Sequence, residues 1–115
     1  MGNPLMNDYT PDRWVIVRID SSEGKIDKIL SSWYGGFAGS DEWRFSSGIT
    51  KIEDRTADSY PHYVIHNHSG SIYTCYKNNI GMSAYTSSVY NSYKKKVEEI
   101  GGSMEIINIV DFLSQ

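Results

Sequence analysis

The sequence predicts an α+β fold, built on an antiparallel sheet of about five to seven strands ordered mostly as a meander. One amphipathic helix in the C-terminal half and a final strand complete it. Three observations carry this expectation. Runs of β-branched and aromatic residues at strand length recur from Trp14 to Lys77, with short polar or Gly-containing breaks between them. Apolar spacing changes to a helical period over residues 86–100. Strands therefore outnumber helices, and the helix does not alternate with them. That argues against a doubly wound α/β fold and removes the usual nucleotide-fold expectation.

The elements follow in order. Residues 1–12 are polar, carry Pro4 and Pro11, and offer few apolar anchors to offset ordering entropy, so they read as a flexible N-terminal arm. Residues 13–115 read as one domain. Trp14 to Asp20 is a β-branched run. Val15, Val17 and Ile19 share one face, expected to meet the core, and Trp14 and Ile16 share the other, expected to be at least partly covered. Ser21-Ser22-Glu23-Gly24 is a turn signal. Lys25 to Trp33 reads as a strand, although Ile26, Ile29, Leu30 and Trp33 also fit helical spacing and leave a short helix open. Glu42 to Ser46 and Ile49 to Arg55 read as two strands about a compact Ser47-Gly48 turn. His62 to Asn67 and Ile72 to Lys77 form the strongest hairpin signal, closed by His68-Ser69-Gly70-Ser71.

The helix is expected to bury Val89, Tyr93, Val97 and Ile100. Ser83 or Thr86 would cap its start, and Gly101-Gly102 would end it. Met104 to Val110 reads as the last strand.

Composition narrows the function classes. The 115 residues include nine Tyr, three Trp and three Phe, too much buriable surface for a disordered acidic tail. A net charge of −3 opposes any general electrostatic grip on nucleic acid or an anionic membrane. A single Cys excludes an internal disulfide framework and a multi-Cys metal site. The absence of a long apolar run and of signal-peptide features points to a cytoplasmic protein.

Four groups of residues invite a chemical reading. Trp33, Tyr34, Phe37, Trp43 and Arg44 lie beside flexible glycines, and aromatics with Arg dominate protein-interface hot spots. The same segment also fits a lid over a sheet end. Lys77, Ser83, Tyr85, Thr86 and Ser87 surround a helix start, where free N–H groups and the dipole favour a small anion such as a nucleotide. Ser and Thr at that place also serve simply as caps. His66 and His68 suggest a metal-dependent hydrolase if a carboxylate joins them, whereas His62 and His66 stand roughly 13 Å apart on an extended strand and do not share an ion. Cys75 has no His directly opposite it in either plausible hairpin register, and a mid-strand Cys is ordinarily a small buried apolar residue. No cofactor is implied and no catalytic set assembles, so a non-catalytic binding module, possible as a homo-oligomer, leads the two alternatives.

Three local patterns carry a resemblance: Trp33-Tyr34-Gly35-Gly36; Asp41-x-Trp43-Arg44-x-x-Ser47-Gly48-Ile49; and Ser69-Gly70-Ser71-x-Tyr73-x-Cys75. Together they resemble small accessory proteins encoded in tailed-phage genomes. The resemblance implies interference with a host process or defence, through a host protein or by sequestering a small signal molecule. It implies no reaction and no site residues.

Overall fold

The computed structural model describes residues 8–35 and 41–114. In chain order the elements are β1 (Asp8–Tyr9), β2 (Arg13–Ser21), β3 (Gly24–Trp33), β4 (Glu42–Phe45), β5 (Ile49–Arg55), β6 (His62–Asn67), β7 (Ile72–Tyr76), a 3-10 turn (Lys77–Asn79), α1 (Ala84–Glu99), β8 (Ser103–Ile107) and α2 (Ile109–Leu113). The α+β class holds. The strands divide between two four-stranded sheets instead of forming one. The first has the order β1-β7-β6-β5 and the second β4-β3-β2-β8. Each contains a three-strand meander, β5-β6-β7 or β2-β3-β4. The β1–β7 pair is parallel.

Burial on both faces of β2 explains the layering. Trp14 and Ile16 on one face join Ile29, Ile65, Tyr73, Cys75 and Ile107 in a cluster between the sheets. Val15 and Val17 on the other face join Leu30, Met104 and Tyr90 beneath α1. A strand apolar on both faces needs a cover on each side, and here the first sheet covers one and α1 the other. The face of Trp14 and Ile16 is thus as deeply buried as its opposite.

Lys25 to Trp33 is entirely strand, paired with β2 from Ser21↔Gly24 to Arg13↔Ser32. Its Ile29 and Leu30 fill opposite clusters, which a helix could not arrange from neighbouring residues.

The segments on either side of Ser47-Gly48 are both strands, but they do not pair with each other. β4 pairs with β3 and β5 with β6. Ser46 ends the β4 ladder by accepting from the Ile29 N–H at 2.8 Å while its own N–H donates to the Ile29 carbonyl at 2.9 Å. The chain then crosses to the other sheet. There the His68 N–H donates to the Gly48 carbonyl at 2.7 Å. A Cβ on Gly48 would stand 3.0 Å from the end of the Ile26 side chain, so any larger residue there requires Ile26 to shift.

The β6–β7 hairpin takes the register that sets His62 opposite Tyr76 and Tyr63 opposite Cys75. In the helix, Ser83 is the N-cap and its hydroxyl accepts from the Thr86 N–H. The buried face is rotated from the expected one. Thr86 and Tyr90 are buried and Val97 packs below, while Ile100 is 80% exposed. The cause is position: Ile100 is already the C-cap. Gly101, at φ +86°, and Gly102 then donate to the Glu98 and Val97 carbonyls in a Schellman closure. A Cβ at Gly102 would stand 2.8 Å from the Asp20 carbonyl oxygen, so the helix end packs on β2 only through glycine.

The last strand stops at Ile107, short of the expected Val110. Asn108 accepts from the Asp111 N–H, and the Asp111 side chain accepts from the Asn108 N–H. This capping box turns the chain into α2, whose Ile109 and Phe112 pack on the inter-sheet core. Of the expected arm, residues 1–7 lie outside the described residues. Asp8–Tyr9 form a strand, and Tyr9 stacks on Tyr73 with ring centroids 4.8 Å apart.

Arg18 and Asp27 are direct cross-strand partners at the far end of the inter-sheet layer. Both guanidinium–carboxylate bonds form, at 2.9 and 3.0 Å, and the Asp27 side chain is 2% exposed. Removing one partner of such a pair leaves a buried charge unmatched. Asp27→Ala is expected to lower the unfolding free energy by about 3 kcal/mol, measured by urea denaturation. Arg18→Met combined with Asp27→Leu should recover most of that loss. An Asp27→Ala protein as stable as the parent would show that the pair is not structural.

Candidate binding cleft

Three of the expected partner-binding residues meet in one place. Trp33, at the end of β3, and Trp43 and Arg44, on β4, line a surface cleft of about 330 Å³ with Asp8, Tyr9, Thr10 and Glu42. The cleft runs between two sheet edges, because β1 ends the first sheet and β4 ends the second. Its walls are held from below. The Trp33 indole N–H donates to the Thr10 carbonyl at 3.0 Å, and its ring stands 6.2 Å from that of Tyr9. The Arg44 guanidinium lies 4.7 Å above the Tyr9 ring, a cation–π contact. The Ser31 hydroxyl donates to the Arg44 carbonyl at 3.2 Å. Beneath them the Tyr73 hydroxyl is fully buried, and burial raises its pKa above the ordinary phenol value against a smaller lowering by Arg44.

Tyr34 points elsewhere. Its hydroxyl accepts from Arg13 Nε at 2.6 Å, and its N–H donates to the Asp12 carboxylate. Phe37 lies outside the described residues. Tyr9 and Thr10 belong to the cleft without having been singled out. A lone Tyr in a polar stretch gives no periodic signal, and only its parallel pairing with Tyr73 brings it here.

The five residues around the helix start do not form a common set of free donors. The Lys77 ammonium donates to Asp54 at 2.8 Å, donates to the Thr56 hydroxyl, and lies 4.5 Å from the Tyr63 ring centroid. The Ser83 hydroxyl donates to the Asp41 carboxylate, which therefore already meets the helix N-terminus with a negative charge. Thr86 is buried and Ser87 donates its N–H to the Ser83 carbonyl. Tyr85 is 42% exposed and lines a separate groove with Trp43, Ser88, Val89, Ser92 and Tyr93, about 300 Å³ in volume, on the helix side of β4.

His66 and His68 do not converge. His66 Nε2 is 2.5 Å from the Glu53 carboxylate on the open face of the first sheet, and His68 is exposed in the hairpin turn. Among the described residues no group of three or more His, Cys, Asp or Glu side chains could hold a metal ion. Cys75 is fully buried and burial pushes its thiol far above the ordinary range. Among the described residues are two further depressions: one of about 460 Å³ between Ser59–Pro61 and Tyr76, Asn78 and Asn79, and one of about 290 Å³ between Ile80 and Ile106–Ile109. No described helix is long and apolar enough to cross a membrane.

Two outcomes follow from these placements. Cys75 should not react with an aromatic disulfide reagent in the native protein and should titrate as one thiol in denaturant. Fast native-state labelling would contradict its burial. The Glu53 carboxyl is held below its ordinary 4.5, chiefly by the hydrogen bond from His66. A carboxyl depressed in the folded state stabilises fully above its unfolded pKa, and that contribution fades as pH falls through the folded value. Stability measured by urea should therefore drop below about pH 4.5, and Glu53→Gln should flatten part of that slope. An unchanged slope would remove the pair from the acid response.

No family model, no curated protein and no solved structure matches this chain.

Proposed function

We propose that the protein is a non-catalytic binding module that acts by stoichiometric contact with a protein partner, through the cleft lined by Trp33, Trp43 and Arg44. One observation carries the reading: Trp33, Trp43 and Arg44, with Tyr9, line a single cleft between two sheet edges. Aromatic and Arg side chains on a rigid base lose little entropy on binding and contribute most of the energy at protein interfaces. The base is rigid here because Tyr9 stacks on buried Tyr73 and Trp33 is tied to Thr10. The resemblance to phage-encoded accessory proteins supplies the context, in which the partner is a host protein.

The test is capture from a host lysate with the parent protein and with Trp33→Ala and Arg44→Ala as paired baits. One partner should be recovered in stoichiometric amount by the parent and reduced roughly thirtyfold in affinity by either change. Melting temperature should show that both variants remain folded. Equal capture by parent and variants, or no specific partner at all, would defeat the proposal.

A further inference from the structure

We infer that the β4 edge is a self-association surface, and that a second copy of this chain adds its own β4 antiparallel across a two-fold axis through Trp43. The inference goes beyond the binding-module reading, because it concerns the backbone edge of β4 and leaves the cleft's host partner to that reading.

The edge is open. Among the described residues β4 pairs only with β3, so its outer row of backbone groups has no strand against it. The phase of that row is fixed by Ser46, whose N–H donates to the Ile29 carbonyl. Backbone groups of alternate residues point the same way along a strand, so those of Glu42 and Arg44 face β3. The N–H and C=O of Trp43 and Phe45 face outward.

An added antiparallel strand must therefore pair with Trp43. If that strand is a second β4 centred on the same residue, Trp43 of each copy exchanges both backbone hydrogen bonds with its counterpart. The same register sets Glu42 opposite Arg44 of the other copy, and Arg44 opposite its Glu42. These flanking positions form the non-hydrogen-bonded pairs of the ladder, where side chains come closest and opposite charges stabilise. The sequence Glu42-Trp43-Arg44 is thus its own charge complement when reversed. An isologous interface requires such self-complementarity.

Both faces beside the edge suit the occupant. Glu42 and Arg44 border the cleft that holds Tyr9 and Trp33. On the other face, Tyr85 and Tyr93 are each about two-fifths exposed beside Trp43, at 42% and 40%. Strand addition characteristically combines backbone bonds with grooves that take alternate side chains. The β4-β3-β2-β8 sheets of the two copies would join as one continuous eight-stranded sheet, with an α1 from each copy on the same side.

The experiment measures subunit number by sedimentation equilibrium for the parent protein, Glu42→Arg, Arg44→Glu, the double swap, and an equimolar mixture of the two single variants. The parent should be a dimer. Each single reversal creates two like-charge pairs per dimer and should weaken association roughly tenfold to a hundredfold. The double swap should restore dimerisation, and the mixture should give a one-to-one heterodimer. Amide exchange at Trp43 should slow on dimerisation. A monomeric parent at high concentration, or single variants that dimerise as well as the parent, would overturn the inference; the latter would move association to another edge. Capture of a host partner by the parent protein, diluted until sedimentation shows it monomeric, would leave the binding-module reading standing while showing that it does not need the dimer.

Discussion

The structure depends on the burial of β2 on both faces. Trp14, Val15, Ile16 and Val17 are consecutive and all are at most 5% exposed. Alternate side chains point to opposite faces, so no single layer covers them. One cover is the sheet that supplies Ile65, Tyr73 and Cys75, and the other is the helix that supplies Tyr90. Fully burying each such apolar side chain contributes about 1.5–3 kcal/mol, several times the net worth of an exposed ion pair. The apolar contacts therefore choose the layering, and polar groups adjust to it. Arg18 and Asp27 follow this rule where the inter-sheet layer meets α2, the Arg18 guanidinium also reaching the Asp111 carbonyl at 3.3 Å.

That layering determines where a binding surface falls. Covering β2 and β3 from both sides leaves β4 at the rim of the second sheet and brings β1 to the rim of the first. Aromatic side chains that complete the two cores consequently emerge at the same border. Trp43, Phe45 and Tyr93 contact one another edge to face on the helix side, at 5.1 to 6.0 Å between centroids. Tyr9 and Trp33 meet at a tilt on the opposite side, 6.2 Å between centroids. The cleft is thus an extension of the packing. Its residues are held by the core while one surface of each remains accessible. The open face of the first sheet is different in character. Its Glu53–His66 contact is partly solvated, and the Asp54–Lys77 contact at the end of the same sheet is equally open to water, so both influence the acid response more than they define a site.

Much of this was legible in the sequence. β2, β3, the β6–β7 hairpin and α1 follow from β-branched runs, turn residues and a helical period, all local signals. A cap at Ser83 or Thr86 and Gly101-Gly102 as terminator follow from backbone chemistry that needs no neighbours, and the structure takes Ser83. In the cleft, Trp33, Trp43 and Arg44 stood out by residue type. Tyr9 did not, because its role exists only once β1 lies along β7. The short helix α2 was hidden by an Ile-rich run that reads equally as strand until the Asn108–Asp111 capping box is recognised.

What the sequence by itself determined is which segments pleat, which one coils, and which side chains must leave water. What only the tertiary structure decided is partnership: that β4 and β5, adjacent in the chain, enter different sheets, and that Lys77 turns to Asp54 instead of joining Ser83. The division has a physical reason. Pleating and helix capping are set by interactions within a few residues, whereas the choice between sheets depends on how two apolar faces of β2 are covered at once. That competition involves residues from Tyr9 to Phe112, and no local pattern encodes its outcome.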